Sequence, residues 1–260
     1  IAAESCSTPA RALSLMLPPK GVRARTALHA RAARAPADDE RLTDAQRSLL
    51  ASLPRLTGGD TAALRRLEGR GLVTIEPRVV RRAPKHTVVG ALAGSEPPAL
   101  TADQAQVLEE LAGAAPGERL LLHGVTGSGK TEIYLRAAER TLAAGRTVLV
   151  LVPEIALTPQ IVARFQARFG DTVAVLHSGM APGERYDEWL RLRRGEAKIC
   201  VGPRSAVFAP MEDIGLIVVD EEHDSSYKHE GDPRYDARHV AERRAADHGA
   251  VLVAGSATPR

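Results

Sequence analysis

Six short apolar runs follow one another between residues 119 and 256, and the segments between them are long enough for helices. The runs read RLLLHG, TVLVLV, TVAVLH, AKICV, LIVVD and AVLVAGS. A strand that is apolar on both faces must be covered on both faces, so such runs spaced by helices predict a parallel sheet between two helical layers. We therefore expect an α/β fold with the layout of a nucleotide-binding domain.

The segment HGVTGSGKTEIY, residues 123–134, joins the first apolar run to a helical segment. It satisfies the pattern G-x-x-x-x-G-K-[ST]. In that pattern backbone N–H groups surround a phosphate, the lysine reaches the β- and γ-phosphates, and the hydroxyl binds Mg²⁺. A chance glycine-rich turn is the alternative. The predicted phosphate-loop residues are Gly124, Thr126, Gly127, Ser128, Gly129, Lys130 and Thr131.

A Mg²⁺ site beside such a loop needs a second ligand from a neighbouring strand. The run LIVVDEEHD places Asp220 and Glu221 directly after apolar residues 216–219, at the strand end where open α/β sheets bind ligands. Asp220 is predicted to bind Mg²⁺ with Thr131, and Glu221 to orient or deprotonate the attacking water. An acidic turn after a strand is common by itself. Its pairing with the loop predicts hydrolysis of a nucleoside triphosphate.

Two further polar residues lie near these motifs. Gln104, in ALTADQAQVL, precedes the first run, and its amide could contact a donor and an acceptor on an adenine edge; a solvated helix residue is the alternative. His223 follows the acidic pair and could connect the nucleotide to a neighbouring segment, although a lone histidine is weak evidence. The predicted catalytic residues are Lys130, Asp220, Glu221 and His223.

The first hundred residues are basic, whereas the rest of the chain is mildly acidic. Residues 1–100 hold 16 Lys and Arg against 9 Asp and Glu, a balance of +7, and residues 101–260 have a balance of −4. A basic module joined to an acidic one is typical of a polyanion-binding domain tethered to an enzyme. An arginine-rich solvated surface is the alternative.

Residues 41–90 predict a small winged-helix domain. A helix begins after Thr43, a basic helix with Arg65 and Arg66 follows, and LVTIEPRVVRR alternates like a β-hairpin. This order is that of a winged helix-turn-helix, a module that binds DNA or serves only protein contacts. We expect residues 1–40 to be a partial N-terminal region or connector, 91–99 to be a linker and 100–260 to be the α/β domain.

Composition excludes several classes of protein. Cys6 and Cys200 are the two cysteines, too few for a disulfide framework or a four-ligand zinc site. No apolar stretch approaches the roughly 20 residues of a membrane span, and the start IAAESCSTPA lacks the pattern of a signal peptide. We expect a cytoplasmic protein with no membrane contact. The first residue is Ile and no helix follows the last apolar run, so we expect a piece of a longer protein.

The motifs after residue 100 resemble those of superfamily 2 helicases, and more closely the primosomal protein N′ (PriA) family of bacterial replication-restart helicases. The segments HGVTGSGKTEIY, VLVLVPEIALTPQ, LHSG, GPRSAVFAP, IVVDEEHDSSYK, RYDARHVAERRA and GSATP occur in that family's order. The resemblance implies that residues 100–260 form a RecA-like first helicase lobe preceded by the winged helix. It also implies a second lobe and zinc-binding cysteine clusters, which this chain does not contain.

The resemblance implies roles for individual positions. Residues 153–160 and 202–204 would contact or support the DNA backbone, and residues 256–258 would couple nucleotide state to DNA. The loop 224–238 is similar to the family's aromatic-rich loop, in which Tyr227 and Tyr235 would stack on bases; packing of both against the sheet is the alternative. The predicted DNA-binding residues are Arg65, Arg66, Arg204, Tyr227, Lys228, Arg234, Tyr235 and Arg238.

The function implied by the resemblance is that of a 3′-to-5′ DNA helicase that recognises stalled or branched forks and promotes primosome assembly. Its cofactors are ATP and Mg²⁺, with zinc bound elsewhere in the family, and its partners are forked DNA and other replication-restart proteins. Because hydrolysis needs charge from the facing lobe, this chain is expected to bind nucleotide with little turnover. A general DNA translocase and a non-catalytic fork-binding scaffold are the alternatives.

Overall fold

The computed structural model describes residues 7–18, 21–37, 40–53, 61–80, 82, 98–125, 127–154 and 159–258. The chain divides into two compact units, a small one of residues 23–82 and a large one of residues 1–22 and 83–260. Thr126, most of the expected linker at 91–99 and residues 155–158 lie outside the described residues. Within the described ranges, no helix is long and apolar enough to cross a membrane.

Strands and helices alternate along most of the chain. The strands are β1 (Thr26–Ala32), β2 (Val73–Val79), β3 (Arg119–His123), β4 (Thr147–Leu151), β5 (Val173–Val175), β6 (Ile199–Gly202), β7 (Ile214–Val219), β8 (Lys228–His229), β9 (Tyr235–Asp236) and β10 (Val251–Ser256). The helices are α1 (Pro9–Ser14), α2 (Asp44–Ser52), α3 (Thr61–Gly69), α4 (Ala102–Gly113), α5 (Lys130–Ala143), α6 (Pro159–Phe169), α7 (Pro182–Arg193) and α8 (Ala237–His248).

The large unit is built on a six-stranded sheet in the order β3-β10-β7-β4-β6-β5, in which every neighbouring pair is parallel. All six apolar runs form its strands. Strand β4 is apolar on both faces because each face packs into a core. Leu149 and Leu151 belong to the core on one side of the sheet, and Val148 and Val150 belong to the core on the other side. The predicted RecA-like α/β fold is confirmed.

The small unit has a core of Leu42, Leu53, Leu67, Leu72 and Val73. The expected N-cap is present, since the Thr43 side chain accepts from the backbone N–H of Gln46. The prediction of a β-hairpin in LVTIEPRVVRR is wrong. Residues 73–79 form the single strand β2, which pairs antiparallel with β1.

The domain bounds therefore differ from those expected. Strand β1 comes from the presumed connector 1–40, and the small unit spans 23–82 rather than 41–90. The earlier part of the connector belongs to the large unit, where Leu15 packs against the core and the Trp189 indole N–H donates to the Met16 carbonyl at 3.1 Å. The winged-helix assignment of the small unit stays a prediction.

Candidate nucleotide-binding and hydrolysis site

The phosphate loop lies at the carboxyl end of β3 and leads into α5. Gly129 precedes the helix with φ +87°, a backbone conformation that glycine adopts readily, and no side chain caps the helix. The first N–H groups of α5 thus stay available for an anion. Lys130 Nζ donates to the Gly124 carbonyl at 2.6 Å, so the ammonium group already spans the loop.

The acidic turn follows β7 and lies beside this loop. The Asp220 N–H donates to the Leu151 carbonyl at the end of β4. Lys130 Nζ lies 3.6 Å from Glu221 Oε1, which brings together the two motifs that sequence reasoning paired. Glu221 has φ +45°, a strained backbone conformation for a residue with a side chain, and strain of this kind clusters at functional sites.

Asp220 has the character expected of a metal ligand. Burial raises the pKa of its carboxyl and the neighbouring Glu221 charge raises it further, while a hydrogen bond from Tyr134 opposes the rise. A buried carboxylate that is costly to ionise favours a bound cation beside it. With the Thr131 hydroxyl at the start of α5, the residues present fit a Mg²⁺ bound together with nucleotide phosphates.

His223 connects the acidic turn to the end of β10. Its Nδ1 atom lies 2.9 Å from Ser256 Oγ, and this hydroxyl accepts from the Thr258 N–H at 3.1 Å. The Glu222 N–H also donates to the Gly255 carbonyl at 2.9 Å. The DEEH and GSAT segments are therefore held together by at least two hydrogen bonds.

Gln104 supports the phosphate loop. Its Nε2 donates to the Ser128 carbonyl at 3.1 Å, while its Oε1 accepts from the Thr101 N–H at 3.1 Å in a capping box at the start of α4. Gln104 is half-buried on α4, and its amide already makes contacts within the chain. Its contact with adenine stays a prediction.

The aromatic-rich loop contains the short antiparallel pair β8 and β9. Base stacking by Tyr227 is wrong, because this residue is fully buried and its hydroxyl lies 2.5 Å from the Asp220 carbonyl oxygen and 3.1 Å from that of Leu151. Tyr235 is half-buried and packs edge-on against Phe208, with ring centroids 4.9 Å apart. Packing against the fold, the alternative left open above, describes both tyrosines.

Two of the five arginines predicted to bind DNA, Arg204 and Arg238, are half-buried and make internal contacts instead. Arg204 Nη1 donates to the carbonyls of Ser226 and Lys228 at 3.2 and 2.8 Å, and so holds the aromatic-rich loop. Arg238 forms a two-point pair with Asp236 and donates to the Glu222 carbonyl at 2.6 Å. These two guanidinium groups hold backbone segments in place. Their prediction as DNA-binding residues is therefore corrected. Among the other predicted residues, Lys228, Arg234, Arg65 and Arg66 are exposed.

Sequence reasoning missed Tyr134, which lies on α5 one helical turn after Lys130. Its hydroxyl donates to Asp220 Oδ1 at 2.9 Å. Burial, and then the Asp220 charge, raise the pKa of this phenol far above its usual range, so the hydroxyl keeps its proton and acts as the donor. The spacing from Lys130 was the only signal in the sequence.

A phosphate loop and an acidic turn at one end of a RecA-like parallel sheet define a P-loop nucleotide-binding lobe. A model of the DEAD/DEAH box helicase family matches residues 101–260. The chain belongs to this family, and membership implies the use of ATP and Mg²⁺. Family membership gives no such support for zinc, which the resemblance had implied elsewhere in the longer protein.

Curated relatives confirm the resemblance seen in the motifs. The chain is 47% identical over 212 residues to the replication restart protein PriA of Bacillus subtilis, which is 80% of this chain and 26% of that protein. It is 46% identical over 211 residues to PriA of Synechocystis sp., with 81% and 25% covered. The chain thus spans about a quarter of the length of these relatives.

The Hef helicase domain of Pyrococcus furiosus matches with 25% identity and a TM-score of 0.46, over 61% of this chain and 32% of that one.

Proposed function

We propose that this chain is the nucleotide-binding lobe of an ATP-dependent DNA helicase that acts in replication restart. The observation that carries the proposal is the convergence of Lys130 and the acidic turn, with Lys130 Nζ 3.6 Å from Glu221 Oε1. Similarity to two replication restart proteins supports the biological role.

The proposed chemistry assigns one task to each residue. Bound Mg²⁺ neutralises charge on the β- and γ-phosphates. Thr131 and Asp220 would hold the metal, directly or through water, and Lys130, whose Nζ donates to the Gly124 carbonyl here, would bind the phosphates. Glu221 orients a water molecule in line with the γ-phosphate and accepts its proton.

The proposed lobe needs a facing lobe for turnover. Arginine fingers that stabilise the transferring phosphoryl group raise hydrolysis by roughly 10³- to 10⁵-fold in P-loop GTPases. We therefore expect the 260-residue chain to bind ATP and to hydrolyse it slowly, whereas the longer protein would unwind DNA in the 3′-to-5′ direction.

The proposed substrate is forked DNA at stalled replication forks, with other primosome proteins as partners and the cytoplasm as location. Exposed Lys228 and Arg234 on the aromatic-rich loop are the DNA contacts that we propose for the large unit. Exposed Arg65 and Arg66 on α3 are those that we propose for the small unit, as a winged helix.

The experiment that tests this function is a titration of the chain with a fluorescent fork that carries a leading-strand end at its junction. Matched single-stranded and blunt duplex DNA are titrated beside it at two salt concentrations. Tighter fork binding that persists in added salt supports fork recognition by these residues. Equal binding of all three DNAs that is lost in salt would reflect phosphate attraction alone, and would favour a general translocase.

A further inference from the structure

Asp220 is held at both its side chain and its backbone by buried tyrosines. Tyr134 from α5 donates to Oδ1 of the carboxylate at 2.9 Å, and the Tyr227 hydroxyl lies 2.5 Å from the backbone carbonyl oxygen. Tyr134 is 1% exposed and Tyr227 is fully buried. Of these two contacts, only that from Tyr134 reaches the carboxylate itself, which also accepts from the backbone N–H of Glu221.

The position of the Tyr134 ring depends on Gly255 in β10, the strand beside β7. A Cβ atom added to Gly255 would lie 1.8 Å from the Tyr134 hydroxyl oxygen, 3.0 Å from Cζ of the ring and 3.4 Å from Asp220 Oδ1. Any side chain there would displace the hydroxyl from the carboxylate. The missing side chain on β10 is therefore what admits the contact between α5 and the acidic turn.

We propose that Tyr134 is a positioning residue that orients the Asp220 carboxylate for Mg²⁺ bound with nucleotide. The inference rests on the proposed function, because it concerns the metal of that site. Tyr134 holds Oδ1 of the carboxylate, and in the proposed arrangement the carboxylate binds the metal through its remaining lone pairs. Since Tyr134 and Lys130 belong to the same helix, the contact also fixes the distance between the phosphate loop and the acidic turn. Hydrogen bonds of this kind to a ligating group typically change metal affinity by about 10- to 100-fold.

The test measures binding of a fluorescent ATP analogue to the whole 260-residue chain, first in EDTA and then across a Mg²⁺ titration. Tyr134→Phe removes the hydroxyl and keeps the ring. Tyr186→Phe, which removes a hydroxyl from a half-buried residue on α7, is the matched control. For Tyr134→Phe we expect the half-saturating Mg²⁺ concentration to rise about 10-fold, with the affinity in EDTA unchanged. Tyr186→Phe should match the wild type in both conditions.

The possible results separate this inference from the proposed function. An unchanged Mg²⁺ requirement for Tyr134→Phe overturns the positioning role. An equal loss of affinity in EDTA and in Mg²⁺ also overturns it, because that pattern reports a general packing defect. If the wild type itself binds no nucleotide in Mg²⁺, the proposed function fails and the inference fails with it.

A second variant tests the contribution of the glycine. Gly255→Ala should raise the Mg²⁺ requirement in the wild-type background by a similar factor, because its methyl group displaces the Tyr134 hydroxyl. In the Tyr134→Phe background the same substitution should add little. Full additivity of the two losses would mean that the residues act independently, which contradicts the proposal.

Discussion

His223 Nδ1 lies 2.9 Å from Ser256 Oγ, which joins the acidic turn after β7 to the end of the neighbouring strand β10. The link is reinforced by the Glu222 N–H, which donates to the Gly255 carbonyl. We therefore expect a displacement of one strand end to move the other. This pair gives a physical basis for the predicted coupling between nucleotide state and DNA.

The coupling prediction is tested by Ser256→Ala in the intact protein. We expect basal ATP hydrolysis to be retained and its stimulation by DNA to fall several-fold, because the link from the acidic turn to residues 256–258 is lost. His223→Ala should also reduce the stimulation by DNA, and the double variant should lose no more of that stimulation than either single variant. Additive losses in ATPase assays would show that the two side chains do not act as a unit.

Glu221→Gln in the intact protein should bind ATP normally and hydrolyse it about 10²- to 10⁴-fold more slowly, since an amide cannot accept a proton from water. Single-turnover hydrolysis, measured beside nucleotide affinity, separates chemistry from binding. Glu222→Gln is the matched control, because it changes the adjacent carboxylate. Normal turnover in Glu221→Gln would remove the water-orienting role from this residue.

Tyr227 and Lys228 are adjacent but should respond in opposite ways. Tyr227→Ala deletes a fully buried ring, and we expect a loss of about 3–5 kcal/mol in the free energy of unfolding. Lys228→Ala should leave the unfolding free energy nearly unchanged, while weakening DNA binding and lowering the salt slope of the affinity by about 1. Chemical denaturation and DNA titrations at several salt concentrations measure both. A large stability loss for Lys228→Ala, or none for Tyr227→Ala, would contradict these placements.

The raised pKa of Asp220 makes a prediction about stability and pH. Burial, the largest cause, disfavours the ionised carboxylate in the folded protein, so this group stabilises the fold at low pH and loses that contribution as pH rises through its raised pKa. Asp220→Asn should therefore raise Tm at pH 8, and the gain over wild type should shrink as pH falls through the raised pKa of Asp220. The amide oxygen can still accept from Tyr134. A Tm below that of the wild type at pH 8 would contradict this account.

The sequence predicted those residues of the site that belong to short local motifs. Lys130 and Thr131 follow from the loop pattern, and Asp220 and Glu221 from their place after an apolar strand. The contact between Tyr134 and Asp220 joins residues 86 positions apart. It depends on how closely a helix approaches a neighbouring strand, and no local pattern reports that distance.

The same reason explains the errors elsewhere. Strand β1 reads TALHARA, and its exposed faces leave no apolar alternation to mark it as the partner of β2. Tyr227, Arg204 and Arg238 have the residue types of a DNA surface. In the folded chain, however, Tyr227 is buried and both arginines donate to backbone carbonyls, so the three residues support the aromatic-rich loop. Composition does not reveal these contacts.

The central claim is that Lys130 and the acidic turn form an ATP site within this chain. Calorimetric titration of the 260-residue chain with ATP and Mg²⁺ tests it most directly, with Lys130→Ala as the disabled variant and Lys198→Ala, an exposed lysine outside the site, as the control. We predict one site per chain in the wild type and in Lys198→Ala, and no measurable binding in Lys130→Ala. Equal binding by all three proteins, or none by the wild type, would contradict the account.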